Sequence, residues 1–185
     1  MYVAAGASGL ASAAIPMAKG FGAKVITDAL DPAKREAIAS LGADYIVDLT
    51  KEKVSDVFRR LSEAGTPVNC AMDCLCGEDM GESLQYMAEG GYYVVISTLA
   101  GVTTKLYLRP LLTRGLHITG SMLRKRSIEE KGALLEELRE HLWKKFEDKS
   151  VKVKVYRTYP FDRAEEAQQV LEKSENIGKV VLKVK

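Results

Sequence analysis

Apolar runs of strand length alternate with amphipathic runs of helix length over most of this chain. Six short runs rich in Val, Ile and Tyr are typical of strands, and a stretch with helical periodicity follows each of them. The predicted strands cover residues 2–6, 23–29, 44–49, 68–75, 92–98 and 116–121. The helical patterns cover residues 10–22, 31–42, 53–64, 80–91, 106–115 and 127–146. Strands and helices that alternate in this way predict right-handed βαβ units and a parallel sheet.

Residues that start and stop helices support these assignments. Asp31 is a good N-cap, Pro32 suits the first helical position, and Gly42 is a typical stop. Pro16 is the exception because it lies inside the first predicted helix. A proline there loses a hydrogen bond, clashes with the carbonyl of Ser12 and costs about 3 kcal/mol. We therefore expect a kink in this helix.

Six strands connected by helices make two βαβαβ halves, which is the doubly wound dinucleotide-binding (Rossmann) fold. We assign residues 1–150 to this α/β domain. The fifth strand is apolar throughout, so we expect it to be buried on both faces. Residues 151–185 do not continue the pattern, because a strictly alternating strand, a helix that ends at Gly178 and a last strand follow one another. We predict a separate strand-helix-strand segment there.

The stretch AAGASGLASAAI, residues 4–15, joins the first strand to the first helix. Compared with G-x-G-x-x-G, Gly6 is retained, Ser8 replaces the second glycine, and Ala11 replaces the third, where alanine is tolerated. Small residues in this turn let the backbone approach a pyrophosphate, and the helix that follows offers its N–H groups and positive end. A nucleophile elbow, G-x-S-x-G, is excluded because Leu10 stands where that motif requires glycine.

The bulk composition narrows the classes of function. Hydrophobic residues make up 46% and charged residues 28% of the 185 positions, with a formal net charge of +2. These values are ordinary for a globular domain and give no reason to expect nucleic acid. No run of residues suits a membrane span or a signal peptide. Cys70, Cys74 and Cys76 lack the spacing of zinc ligands, so we expect no metal site but buried thiols in the reducing cytoplasm.

Longer stretches resemble a known family. GASGLASAAIPMAKGFGAKVI followed by KREAIASLGADYIVDL resembles the medium-chain dehydrogenase/reductase superfamily. AMDCLCGEDM, GGYYVVISTLAG and LHITGSMLRKRS are similar to the zinc-independent quinone oxidoreductase branch, which includes zeta-crystallin. The closing YPFDRAEEAQQVLEKSENIGKVVLKV resembles the last segment of those enzymes.

The resemblance implies a second domain. Family members begin with a GroES-like substrate domain and return to it at their C-terminus. The chain is therefore expected to start at the first cofactor strand and to be catalytically incomplete, with residues 151–185 packing on a domain that it lacks. Apolar side chains of this segment are then expected to be exposed, namely Phe161, Val170, Val180 and Leu182.

The resemblance also implies a set of cofactor-binding residues. The pyrophosphate turn corresponds to Gly6, Ala7, Ser8, Gly9, Leu10 and Ala11. The loop after the fourth strand, which passes the ribose and pyrophosphate, corresponds to Cys74, Leu75, Cys76 and Gly77. The nicotinamide end corresponds to Ser97, Thr98 and Leu99 after the fifth strand and to Ser121, Met122 and Leu123 after the sixth. The alternative for the last group is a solvated loop with a basic cluster, Arg124, Lys125 and Arg126.

Different residues of the sequence favour NADP(H) and NAD(H). An acidic residue at the end of the second strand normally binds the ribose 2′-OH of NAD, and Asp28 and Asp31 lie in that region. Asp31 has an alternative role as a helix cap. Lys34 lies where family members meet the 2′-phosphate of NADPH, and Arg35 is adjacent. We expect NADPH, with NAD possible.

The activity that the resemblance implies is hydride transfer from the reduced nicotinamide to a quinone or enone. We leave the catalytic residues unassigned, because His117 and His141 suit structural positions better and no general acid or base stands out. Family members associate through the edge strand, which here lies near His117, so a homo-oligomer is expected. The alternatives are a non-catalytic nucleotide-binding or oligomerisation module and the enoyl reductase cofactor domain of a multienzyme synthase.

Overall fold

Parallel strands form the centre of the molecule in the computed structural model, which describes residues 1–185. The strands of the central sheet are β1 (Tyr2–Val3), β2 (Ile26–Ala29), β3 (Tyr45–Asp48), β4 (Cys70–Asp73), β5 (Tyr92–Val95) and β6 (His117–Gly120). The helices that follow them are α1 (Ala11–Gly20), α2 (Arg35–Ala39), α3 (Val54–Glu63), α4 (Glu78–Leu84), α5 (Leu108–Thr113) and α6 (Ile128–Glu147). The chain ends with β7 (Val155–Pro160), α7 (Ala164–Glu172) and β8 (Lys179–Lys183).

The sheet order is β3-β2-β1-β4-β5-β6, and every neighbouring pair is parallel. This order confirms the doubly wound α/β fold. The chain winds outward from β1 in one direction and from β4 in the other, so the two halves separate between these strands. Ligands of open parallel sheets bind in the crevice at the carboxyl ends of the strands beside this reversal.

The hydrophobic core lies on both faces of the sheet, and β1 supplies side chains to each. Tyr2 packs with α3, where its ring meets the Phe58 ring edge to face at a centroid distance of 5.4 Å. Val3 points to the other face and packs with Ile15 of α1. This alternation follows from the pleat of a strand. The turn that follows β1 therefore starts from a strand that is fixed on both faces.

The expectation that the fifth strand is buried on both faces was wrong, because Tyr93 is the only buried residue of β5 and Val94 and Val95 are half-buried. Tyr92 of β5 is 50% exposed and stacks on the ring of His117, with ring centroids 4.3 Å apart. The physical reason is the position of β6, which is the edge strand and has all four residues exposed. The side chains of β5 next to this uncovered edge are therefore reached by solvent.

The C-terminal segment forms its own two-stranded parallel sheet from β7 and β8, connected by α7. This confirms the predicted strand-helix-strand segment, which adds no strand to the central sheet, although the helix ends at Glu172 and not at Gly178 as predicted. Phe161 and Leu182 are 63% and 37% exposed, and Val170 and Val180 are half-buried. An isolated two-stranded sheet is only marginally stable, so the contacts of this segment with the first domain contribute to its order.

Helix α1 continues through Pro16 to Gly20. We expect Pro16→Ala to raise the free energy of unfolding by roughly 1–3 kcal/mol, because alanine restores an N–H donor toward Ser12 and removes the ring clash. Chemical denaturation of the wild type and the variant measures this difference.

Pro32→Ala is the matched control for Pro16→Ala. Pro32 occupies the first position of a 3₁₀ turn, Pro32–Lys34, where a missing N–H breaks no helical bond. Pro32→Ala should lower the free energy of unfolding by up to about 1 kcal/mol, since alanine increases the entropy of the unfolded chain. A Pro16→Ala variant that is no more stable than the wild type would show that the helix already accommodates the ring.

Candidate functional site

The turn after β1 is held in shape by its own backbone. Ala5 has a left-handed φ of +55°, and the Gly6 N–H donates to the Asp28 carbonyl over 3.0 Å. A Cβ at Gly6 would lie 2.7 Å from Thr27 Oγ1 and 2.8 Å from the Asp28 carbonyl oxygen. Only glycine therefore fits this position, and it brings the turn directly against β2.

Three backbone donors of this turn are unused. The Ala11 N–H is satisfied by Ser8 Oγ at 3.0 Å, whereas the N–H groups of Ala7, Gly9 and Leu10 donate to no acceptor in the chain. They lie at the N-terminus of the ten-residue helix α1. Unpaired N–H groups and the positive end of a helix form an anion site.

Asp28 lies on β2 and is buried, with only 2% of its surface exposed. Its Oδ2 accepts hydrogen bonds from Tyr2 Oη at 2.7 Å and from the Ala5 N–H at 3.0 Å. Burial raises the pKa of Asp28, although both hydrogen bonds act in the opposite direction. Through these two hydrogen bonds, the Asp28 carboxylate holds the turn in position. This is a structural role, and we do not include Asp28 among the cofactor contacts proposed below.

Asp73 occupies the corresponding position at the end of β4. Its Oδ2 accepts from Tyr93 Oη at 2.5 Å, and its Oδ1 accepts from the backbone N–H groups of Leu75 and Cys76 at 2.7 and 3.1 Å. Burial raises the pKa of the Tyr93 hydroxyl, and the negative charge of Asp73 raises it further. The two buried carboxylates, Asp28 and Asp73, thus fix the backbone on either side of the crevice.

A cavity of about 180 Å³ lies under the crevice between these carboxylates. Its walls include Asp28, Asp73, Tyr2, Tyr93 and the Cys76 side chain. Burial and the neighbouring Asp73 raise the pKa of the Cys76 thiol to about 11, so it is protonated at neutral pH.

The loops after β4 and β5 are joined to one another. Leu99 N–H donates to the Cys74 carbonyl at 3.1 Å, and Ala100 N–H donates to the Leu75 carbonyl at 2.9 Å. The Cys76 thiol donates to the Ser97 carbonyl at 3.1 Å. The structure therefore brings together two predicted groups of site residues, 74–77 and 97–99, at the carboxyl edge of the sheet.

The third predicted group follows β6 at the same edge. Ser121 N–H donates to the Val95 carbonyl at 2.9 Å, which sets this residue beside the end of β5. Met122 and Leu123 are 59% and 60% exposed. The basic residues 124–126 that follow are exposed as well, and none of them is in an ion pair.

Asp31 and Lys34 follow β2 at the other end of the crevice. Asp31 Oδ1 accepts from the Ala33 N–H at 2.9 Å, so it caps the turn as predicted. The Lys34 ammonium donates to two backbone carbonyls of the C-terminal segment, those of Ser174 and, at 3.4 Å, Asn176. The predicted 2′-phosphate residue is therefore bound to the protein itself.

Sequence reasoning missed Lys179 because residues 178 and 179 lie about 170 positions from the turn that they contact. Gly178 N–H donates to the Ala7 carbonyl at 3.0 Å. The Lys179 side chain crosses Gly9, and its Nζ is 3.2 Å from the position that a Cβ of Gly9 would occupy. Lys179 thus adds a positive charge at the unused N–H groups. The pattern of the sequence marks Gly178 only as a helix stop.

The cysteines are partly exposed, contrary to the expectation of buried thiols. Cys74 is buried, but Cys70 and Cys76 are only half-buried, and all three are free. No group of three or more His, Cys, Asp or Glu side chains is arranged to hold a metal ion. None of the helices combines the length and the apolar character that a membrane span requires.

A comparison with protein families gives a match over residues 9–140 to a family described as zinc-binding dehydrogenase. The chain belongs to the zinc-binding dehydrogenase family. The match includes most of the unused donors in the turn and the loops after β4, β5 and β6. The side chains do not fit the metal of the family's name, since no ligand cluster is present, and we assign no zinc site.

Individual curated proteins and solved structures are also similar to the chain. A quinone oxidoreductase-like protein 2 homolog from Nematostella vectensis is 28% identical over 183 residues, which are 98% of the chain and 49% of that protein. The quinone oxidoreductase of Thermus thermophilus, solved also as a complex with NADPH, has a TM-score of 0.81 at 26% identity, covering 99% of this chain and 57% of that one. A phenolphthiocerol/phthiocerol polyketide synthase from Mycobacterium tuberculosis is 33% identical over 86 residues, 46% of the chain and 4% of that protein. The chain thus spans about half the length of its quinone oxidoreductase relatives.

Proposed function

We propose that this chain binds NADPH across the carboxyl edge of its sheet and forms the cofactor-binding part of a quinone oxidoreductase-like enzyme. The observation that carries the proposal is the set of unpaired donors at the turn. Three unpaired N–H groups, of Ala7, Gly9 and Leu10, meet the Lys179 ammonium there. A pyrophosphate fits this arrangement, because its charge is matched by the lysine and its oxygens by the backbone donors.

The rest of the dinucleotide would then extend in both directions from the turn. The adenosine end lies toward Lys34, at the carboxyl end of β2. The nicotinamide end lies toward the loops that follow β4, β5 and β6, with residues 74–77, 97–99 and 121–123. These loops are cross-linked by hydrogen bonds, so they can orient a ring without rearranging.

The bound cofactor supplies a hydride, and a quinone or a similar enone would accept it. The residues of this chain supply orientation and one wall of a cleft. At the nicotinamide end, Leu99 is 76%, Val102 83% and Met122 59% exposed. Such a wall excludes water only when it is covered, so we expect slow turnover by the 185-residue chain itself.

The experiment is a thermal-shift titration of the chain with NADPH and NADH, followed by absorbance at 340 nm after a quinone is added. A cofactor at 100 times its Kd stabilises the folded state by about 2.7 kcal/mol, which appears as a higher melting temperature. Stabilisation by NADPH with little oxidation is the expected result. The absence of a shift with either cofactor contradicts the proposal.

A second candidate function is that of the enoyl reductase domain of a multienzyme synthase, favoured by the similarity to the polyketide synthase. The exposed basic cluster after β6 is compatible with a phosphate-bearing thioester carrier. The same assay with an enoyl thioester in place of the quinone separates the two candidates. Faster oxidation of NADPH by the thioester favours the synthase.

We also propose association of two copies through β6 and a cytoplasmic location. The four exposed residues of β6 present an unpaired strand edge, and the neighbouring Tyr92–His117 stack adds an aromatic surface. Free thiols suit a reducing compartment. Sedimentation of the chain and of an Ile118→Pro variant, which cannot donate from the edge, tests the association; equal masses would contradict it.

A further inference from the structure

The residues between α7 and β8 cross the candidate cofactor site. We call Ser174–Lys179, which includes the first residue of β8, the strap. It contacts the first domain in three places: the Gly178 N–H on the Ala7 carbonyl, the Lys179 side chain over Gly9, and two of its carbonyls on the Lys34 ammonium. The strap therefore touches both the pyrophosphate turn and the residue expected at the 2′-phosphate.

The strap is a defined conformation of the backbone. Asn176 is buried, and its Nδ2 donates to the Gly178 carbonyl at 2.8 Å. Gly178 has a φ of +92°, and a Cβ there would lie only 2.3 Å from the Lys154 carbonyl oxygen. Lys179 N–H donates to that same carbonyl at 2.8 Å. These contacts point the carbonyls of Ser174 and Asn176 at Lys34.

We infer that the strap sets the selectivity between NADPH and NADH by competing for Lys34. This inference rests on the proposed function. Lys34 stands at the carboxyl end of β2, where dinucleotide folds distinguish a ribose 2′-OH from a 2′-phosphate. Its ammonium has three donors, and two strap carbonyls already accept from it.

The competition affects one cofactor and spares the other. Only one of the three Lys34 donors is left for a 2′-phosphate while the two strap carbonyls accept from the others. The phosphate therefore gains the full set of charge-assisted hydrogen bonds only when the ammonium leaves the strap. NADH has no such group, so its affinity is independent of where Lys34 points. The competition for Lys34 thus lowers the affinity for NADPH, in proportion to the fraction of molecules in which the strap holds Lys34, and does not affect the affinity for NADH. The contacts of the strap with the pyrophosphate turn act on both cofactors alike and cancel in the ratio of the two Kd values.

Displacing the strap should therefore increase the preference for NADPH. Gly178→Ala introduces the clash with Lys154 and is expected to raise the ratio of Kd for NADH to Kd for NADPH by roughly three- to tenfold. Gly65→Ala is the matched control, because Gly65 has a similar φ of +74° and no atom within 4 Å of its Cβ position. It should leave the ratio unchanged. Should Gly178→Ala fail to fold, Asn176→Ala loosens the strap more mildly and should shift the ratio in the same direction.

The test is completed in a Lys34→Met background by isothermal titration of both cofactors. There, Gly178→Ala should no longer change the ratio. An unchanged ratio in the wild-type background, or an equal change in both backgrounds, overturns the inference.

A measurement without cofactor separates this inference from the proposed function. Lys34→Met alone should accelerate hydrogen exchange at the Gly178 amide by roughly tenfold, because the strap loses its anchor; unchanged exchange shows that Lys34 does not hold it. If the wild type binds neither cofactor, the proposed function is wrong, and the inference about selectivity is wrong with it. Faster exchange at Gly178 in Lys34→Met would then show only that Lys34 holds the strap.

Discussion

Replacing Gly9 with aspartate is expected to weaken the binding of NADPH and NADH by roughly 100-fold or more. The new carboxylate would stand among the unpaired N–H groups of Ala7, Gly9 and Leu10 and beside the Lys179 ammonium. It would take the place of the pyrophosphate and repel it. Isothermal titration with each cofactor measures the loss.

Gly9→Asn is the control that separates charge from size. A Cβ at position 9 meets only the flexible Lys179 side chain, at 3.0 Å or more, so both variants should fold. Asparagine has nearly the same shape as aspartate without the charge, and its loss should be less than about tenfold. An equal loss in both variants would show that the turn excludes any side chain. No loss in either would mean that the pyrophosphate binds elsewhere.

Asp28→Ala is expected to lower the free energy of unfolding by about 2–5 kcal/mol, the largest effect on stability that we predict for one side chain. The variant leaves two buried donors, Tyr2 Oη and the Ala5 N–H, without their acceptor. It also opens space beside the existing cavity. Urea denaturation at neutral pH measures the change, and a loss below about 1 kcal/mol would contradict the bracing role.

Asp28→Asn keeps the acceptor and removes the charge, so it should change the free energy of unfolding by less than about 1 kcal/mol.

The difference in stability between the wild type and Asp28→Asn should also depend on pH. Burial raises the pKa of Asp28, so the folded protein keeps this proton to a higher pH than the unfolded chain does. Wild-type stability therefore falls, through this group, as the pH rises above about 4, the ordinary value for aspartate. The free energy of unfolding of Asp28→Asn should therefore rise relative to that of the wild type as the pH increases above about 4. Parallel curves of stability against pH would contradict a raised pKa for Asp28.

The position of Asp28 shows that one sequence pattern is compatible with two roles. The sequence places an acidic residue near the end of the second strand, which predicts a contact with the ribose. However, side chains in a strand alternate between faces, so Asp28 lies on the same face as Ile26, toward the core that contains Tyr2 and Phe58. Asp31, beyond the strand, is used as a cap.

The sequence by itself determined the strand-helix alternation, the doubly wound fold, the glycine turn and the separate C-terminal segment. Each of these depends on local periodicity or on residues that are adjacent in the chain, where spacing predicts geometry. The expected cofactor loops also meet at one edge, because the carboxyl ends of parallel strands always do.

Only the tertiary structure decided which groups in the crevice are free. Lys34 is bound to carbonyls 140 and 142 residues away, and Lys179 lies over a turn near the start of the chain. A lysine side chain is long and flexible, and any carbonyl within its reach can accept its hydrogen bonds. Linear spacing carries no information on which carbonyl that is, because the packing of the last segment brings it there.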